Sequence, residues 1–233
     1  MRAADRICLA LDFPTRAEVL AAARRFGPKI GWLKIGLEAF VSEGPSLVAE
    51  VARSSRVFLD LKFHDIPNTV AGAVAAAARA GASLLNVHAS GGRAMLEAAR
   101  RALPDGPSRP RLVAVTLLTS LDAKALADLP VAGHPEGIAR RLSILAKDCG
   151  LDGVVCSPTD LPVIRTACGP DFLTVVPGIR PSGAAAGDQK RIATPHDAIA
   201  AGADILVVGR PVTAAPDPDA ALEELVAEIE SPR

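Results

Sequence analysis

The chain has 233 residues, 49% of them in the apolar set and 3% aromatic, with no tyrosine. Its 26 basic and 26 acidic side chains cancel, so no global field draws it to nucleic acid or to an anionic membrane, and few rings are present to stack on bases. No run approaches the ~18 apolar residues of a membrane span, and Met1-Arg-Ala-Ala-Asp-Arg6 lacks the apolar core of a signal peptide, so a cytoplasmic protein is expected. Cys8, Cys149, Cys156 and Cys168 show no C-x-x-C spacing. They read as small buried hydrophobes in a reducing compartment, not as disulfides or metal ligands.

In chain order, Arg6–Asp12 is a short apolar run ending in a carboxylate, and Thr15 with Glu18 at the capping-box position starts a helix to about Arg25. Gly31–Gly36 is a second strand, followed by a helical region broken at Gly44-Pro45 and running to Arg53. Arg56–Lys62 is the third strand. Ile66–Ala80 is a helix with Pro67 in its first turn and Gly81 at its end. Ser83–His88 is strand four, Gly92–Leu103 a helix, and Arg111–Leu118 strand five. A short helix near Asp122–Asp128 and a longer one at about Pro135–Asp148 precede strand six, Gly153–Cys156. A helix from Thr159 to about Ala167 leads to strand seven, Phe172–Val176. Pro177–Arg191 holds two Pro, three Gly and three Ala and reads as a long mobile loop. Thr194–Ala201 is a helix, Asp204–Val208 is strand eight, and a last helix lies near Asp217–Glu230.

Short continuous apolar strands alternating with helices indicate a parallel sheet buried on both faces. Eight such units without a linker predict a single α/β domain over residues 1–233, a closed (β/α)8 TIM barrel. An open doubly wound sheet is the competing architecture, but the first βα turn, Asp12-Phe-Pro-Thr15, has no glycine-rich phosphate fingerprint.

In a barrel the chemistry collects at the C-terminal strand ends. Those ends carry Asp12, Lys34, Asp60, Lys62, His88, Thr119, Ser120, Ser157, Gly209 and Arg210. Asp60 and Lys62, two apart on a strand, share a face. Only six of the 26 basic residues are lysine, and two of those, Lys34 and Lys62, sit in apolar strand ends. A buried lysine needs a counter-charge, and Asp12, Asp60 and Asp65 offer an alternating Lys/Asp network. A local anion site is expected at Val208-Gly-Arg-Pro-Val-Thr213, with a close backbone at Gly209, a permanent charge at Arg210 and a helix start at Pro211. Arg180 and Gln189 frame a Gly/Ala-rich segment able to fold over a bound phosphate.

Asp60-Leu-Lys-Phe-His-Asp-Ile-Pro-Asn-Thr69 resembles the signature of the orotidine 5′-phosphate decarboxylase family. The resemblance extends in order through Leu9–Asp12, Leu33–Gly36, Val115–Ser120, Val176–Pro181 and Val208–Arg210. It implies cofactor-free conversion of orotidine 5′-phosphate to UMP and CO₂, with no metal. Under it, Lys62 donates a proton to C6 and Asp60 flanks the substrate carboxylate. Asp12 and Lys34 hold ribose hydroxyls, and Thr119 contacts the base. Arg180, Gln189, Gly209 and Arg210 serve the phosphate. Asp65 and Thr69 reach the active site of a neighbouring subunit, which implies a homodimer.

Two other readings stay open. One is a Mg²⁺-dependent sugar-phosphate decarboxylase or aldolase on the same barrel, against which Ile66–Thr69 and Pro177–Arg180 argue; the other is a non-catalytic nucleotide-phosphate binding protein. His64 is expected in packing or at a dimer interface and His88 as a satisfied core histidine. His134 and His196 are expected in solvent.

Overall fold

The computed structural model describes residues 2–121, 123–128, 131–181 and 191–231. Eight strands alternate with helices: β1 Ile7–Ala10, β2 Trp32–Ile35, β3 Val57–Phe63, β4 Leu84–His88, β5 Arg111–Val115, β6 Gly153–Val155, β7 Leu173–Val176 and β8 Ile205–Val208. They pair in sequence order, all parallel, and β8 closes on β1. The helices are α1 Arg16–Phe26, α2 Leu37–Glu43, α3 Pro45–Val51, α4 Pro67–Arg79, α5 Gly92–Arg101, α6 Ala123–Leu126, α7 Pro135–Asp148, α8 Leu161–Cys168, α9 Pro195–Ala200, α10 Arg210–Thr213 and α11 Pro218–Glu230. None of the described helices is long and apolar enough to cross a membrane. All four cysteines are buried with free thiols.

Strand alternation sorts the core into two shells. Leu9, Leu33, Leu59, Leu85 and Leu206 face the helices. Cys8, Trp32, Phe58, Leu84, Val113 and Val155 fill the barrel interior. Both faces are dry, which is why these strands read as unbroken apolar runs rather than alternating ones. At the N-terminal end, arginines close the barrel. Arg56 stacks 4.3 Å above the Trp32 ring, Arg109 forks onto Asp152 with both bonds at 2.7 Å, and Arg165 meets Asp204 at 2.7 Å.

Most boundaries follow the sequence; the differences have local causes. β5 ends at Val115, before the expected Leu118; just past its end the Thr116 amide still donates to the Val155 carbonyl at 3.1 Å, and the Thr116 hydroxyl donates to the same oxygen at 3.2 Å. The helix expected from Thr159 opens as a 3-10 turn, Pro158–Asp160, inside a capping box with Ser157, and only then becomes α8. At α1, Thr15 caps the Glu18 amide, but Glu18 takes the Thr15 hydroxyl at 2.6 Å and not the Thr15 backbone N–H.

β3 departs most from ideal geometry. Leu59 pairs with Leu85, yet the next pair is Phe63 with Val87, so four steps along β3 match two along β4. A one-residue insertion would turn the following side chains to the other face. Two extra residues preserve the alternation: Leu61 and Phe63 still pack on the helix side, while Asp60 and Lys62 both line the barrel mouth.

Candidate active site

The inward parity that builds the apolar plug continues toward the C-terminal rim and becomes charged. Cys8 gives way to Ala10 and Asp12, Trp32 to Lys34, Phe58 to Asp60 and Lys62, and Leu84 to Asn86. A cavity of about 320 Å³ opens above them. Its floor includes Phe58, Val115 and Val155, and its rim carries Thr119, Arg180, Gly209 and Arg210.

The charged side chains form one alternating array. Lys34 Nζ lies 3.1 Å from Asp12 Oδ1 and 3.6 Å from Asp60 Oδ2, and Lys62 Nζ lies 2.6 Å from Asp60 Oδ1. Asp60 and Lys34 are almost enclosed, whereas the Asp12 side chain is 56% exposed at the mouth. Burial alone pushes the Asp60 carboxyl up. The Lys34 and Lys62 cations, with hydrogen bonds from Lys62 and Asn86, outweigh burial and hold it below the usual carboxylate range. Burial likewise works against the Lys34 ammonium, but Asp60 and Asp12 more than compensate and raise its pKa. Asp60 and Lys34 are therefore held charged in a partly dry site, where their attraction is stronger than it would be in bulk water. Gly36 leaves room for it: a Cβ there would lie 2.9 Å from Lys34 Nζ and 3.1 Å from Asp12 Oδ1.

Asp65 and Thr69 do not enter this cavity. Both are exposed at the start of α4, where Asp65 Oδ1 accepts the Ile66 amide at 2.6 Å. Gln189 lies outside the described residues, as does the rest of the segment 182–190. The ends of that segment are held: Ile179 and Ala193 form a parallel bridge, and the Arg180 amide donates to the Ala193 carbonyl at 3.0 Å. Thr119 is buried at the rim, and the Arg180 guanidinium donates to the Ile179 carbonyl at 2.8 Å. Gly209 and Arg210 stand at the end of β8 and the start of α10. Among the described residues no cluster of His, Cys, Asp or Glu is arranged to hold a metal ion.

His64 is exposed, and its ring stacks 5.3 Å from that of His88, at an interplanar angle of 32°. His88 is half-buried, not enclosed in the core as the sequence suggests. Ser157 is fully buried and caps the turn before α8, so it belongs to the scaffold and does not line the cavity.

Two features escape the sequence reading. Asn86, fully buried on β4, bonds both Asp60 and Lys62. Its signal was a lone amide in an apolar strand at the parity of the barrel interior. Arg191 Nη1 donates to both carboxylate oxygens of the buried Asp160, at 2.9 and 3.0 Å, and its Nη2 donates to the Leu118 carbonyl at 3.2 Å, joining the loops after β5, β6 and β7. Nothing in the sequence spacing of residues 118, 160 and 191 announces that contact.

A closed parallel barrel with ion-paired lysines and carboxylates at its C-terminal mouth places the chain among (β/α)8 proteins whose site is built on strand ends. The sequence matches the family described as Orotidine 5'-phosphate decarboxylase / HUMPS family over residues 5–225, and the chain belongs to that family. An orotidine 5'-phosphate decarboxylase of Anaeromyxobacter sp. (strain K) is 54% identical over 228 residues, covering 97% of this chain and 99% of the relative. The crystal structure of orotidine 5'-phosphate decarboxylase from Lactobacillus acidophilus superposes with a TM-score of 0.84 at 34% identity, covering 97% of this chain and 99% of that one. An uncharacterized conserved protein from Geobacillus kaustophilus gives 0.82 at 40% identity, covering 96% and 100%.

Proposed function

We propose that this chain decarboxylates orotidine 5′-phosphate to UMP and CO₂, the last step of UMP synthesis, as one barrel domain in the cytoplasm. The observation that carries the reading is the Asp12–Lys34–Asp60–Lys62 array in the mouth of a barrel whose family and relatives bear that name.

The chemistry follows from the charges. Breaking the bond from C6 to the carboxylate leaves an electron pair on C6 with no adjacent carbonyl to accept it. Preorganised charge has to stabilise it instead. Lys62 meets that pair as an ammonium and transfers a proton to C6, becoming an amine as CO₂ departs. Asp60 holds Lys62 in place and presses against the substrate carboxylate, which is lost in the reaction. Lys34 and Asp12 take ribose hydroxyls, and Thr119 takes the base. Arg180, Gly209 and Arg210, with Gln189, take the phosphate. That remote group supplies binding energy for orientation at the reacting carbon.

The same reading makes the protein a homodimer in which Asp65 and Thr69 complete the partner's site. Their exposure outside their own cavity supports this. So do the exposed apolar side chains Val41 at 81%, Ile66 at 66% and Leu37 at 55%, which lie on α2 and just before α4, in neighbouring βα units.

The test is the absorbance decrease as orotidine 5′-phosphate becomes UMP, with and without EDTA. Turnover unaffected by chelator is expected. Activity abolished by EDTA and restored by Mg²⁺ would establish the sugar-phosphate type of chemistry instead. UMP binding without CO₂ release would leave a non-catalytic nucleotide-phosphate binder.

A further inference from the structure

Lys62 is the one non-glycine residue with positive φ among the described residues, at 52°. An L side chain is held in that left-handed region only when its surroundings impose it. The imposing group is visible. Where β3 gains its two extra residues, the ladder to β4 is interrupted, and the Lys62 amide donates to Asn86 Oδ1 at 2.8 Å in place of a strand carbonyl. The other end of the same amide, Nδ2, donates to Asp60 Oδ1 at 2.7 Å. That oxygen also receives the Lys62 ammonium. Asn86 is fully buried, so no solvent competes for either bond. Its orientation is determined by its partners: reversing the amide would set an oxygen against the carboxylate and an NH₂ against an N–H.

We propose that Asn86 is a positioning residue for the Asp60–Lys62 pair. Its carbonyl latches the left-handed backbone that aims Lys62 into the cavity, and its NH₂ orients the Asp60 carboxylate and favours its ionised form. It touches no reacting atom. The assignment rests on the decarboxylase reading for its assay, while the geometry stands without it.

The two roles separate by substitution. Asn86→Leu fills similar space and removes both bonds. Asn86→Asp keeps an acceptor for the Lys62 amide but sets a second carboxylate against Asp60, which raises the pKa of the pair. Both variants are compared with the wild type for kcat, KM, UMP affinity and the pH profile of kcat/KM. Asn86→Leu is expected to lose on the order of 100-fold in kcat, the scale of a small misplacement of a reacting group, while UMP affinity stays near wild type. The acid limb moves to higher pH in both variants, further in Asn86→Asp. A residue that only stabilised the barrel would leave that limb in place.

An unmoved acid limb, or kcat and UMP affinity falling together, overturns the proposal. If Asn86→Leu does not fold, Asn86→Asp decides by the same two readouts. If the wild type releases no CO₂, the proposed reaction fails and Asn86 is judged by crystallography of a folded Asn86 variant lacking the latch. Return of Lys62 to negative φ there supports the assignment, and an unchanged left-handed Lys62 overturns it.

Discussion

Lys62 Nζ lies 2.6 Å from Oδ1 of Asp60, two residues back on β3, and Lys34 approaches the other oxygen of that carboxylate at 3.6 Å. One buried anion thus holds two cations, of which Lys62 is the one proposed to meet the reacting carbon. Lys62→Ala is expected to cut kcat/KM by at least about 10⁴-fold, because proton donation and charge stabilisation are lost together. UMP binding persists, since Lys34 still neutralises Asp60. Turnover above one hundredth of wild type would exclude Lys62 as the proton donor.

Gly36→Ala separates chemistry from folding. The new Cβ crowds the mobile end of Lys34, which can move aside, and not the backbone. The expected result is a loss of kcat/KM of about tenfold or more, by displacement of an ion-paired group, with little change in melting temperature. Gly153→Ala is the converse. Its Cβ would meet the Leu173 carbonyl of the neighbouring strand at 2.0 Å, so the barrel itself must deform. A stability loss of roughly 1–3 kcal/mol or more is expected from such overpacking, measurable by urea denaturation. Equal melting temperatures for the two variants would contradict this division.

Between neutrality and the ordinary carboxylate range, His88 should make stability fall with falling pH, while buried Asp160, whose pKa is raised by burial, works in the opposite sense at the acid end. Asp60 has a depressed pKa in the fold, so its contribution is present above the unfolded value of about 3.9 and is lost as pH falls through the lower folded value. Lys34 is raised, so its contribution is complete below about 10.4 and is lost as pH rises through the higher folded value. Burial first, then His64 and the Lys62 cation, lower the His88 pKa. The unfolded chain therefore takes the His88 proton before the fold does, and stability declines as pH drops below about 6.5. His88→Gln should flatten the urea midpoint between pH 7 and pH 5. A slope equal to that of the wild type would remove His88 as the cause.

Asp65 faces away from its own cavity, so complementation is a direct test of sharing across a dimer. Lys62→Ala and Asp65→Ala chains are each expected to be nearly inactive alone. After subunit exchange, random pairing in a two-fold dimer restores about one quarter of the sites. No recovery once exchange is verified by mass spectrometry would place Asp65 outside the partner's site.

Much of this was legible before any coordinates. Eight apolar runs separated by helical segments indicate a parallel sheet buried on both faces, and eight units with no glycine-rich first turn favour the closed barrel over an open doubly wound sheet. Strand parity and the lysines in apolar strand ends pick out Lys34, Asp60 and Lys62, because an unpaired buried ammonium is too costly to leave unmatched. What parity does not reveal is how the pair is held. The double insertion in β3, the left-handed backbone at Lys62 and the Asn86 latch all arise between residues separated by 24 or 26 positions in the chain. The Arg191–Asp160 clamp spans 31. Local pattern determines which face a side chain takes, whereas register and backbone strain depend on which neighbour the closed barrel brings alongside, and that is decided only in three dimensions.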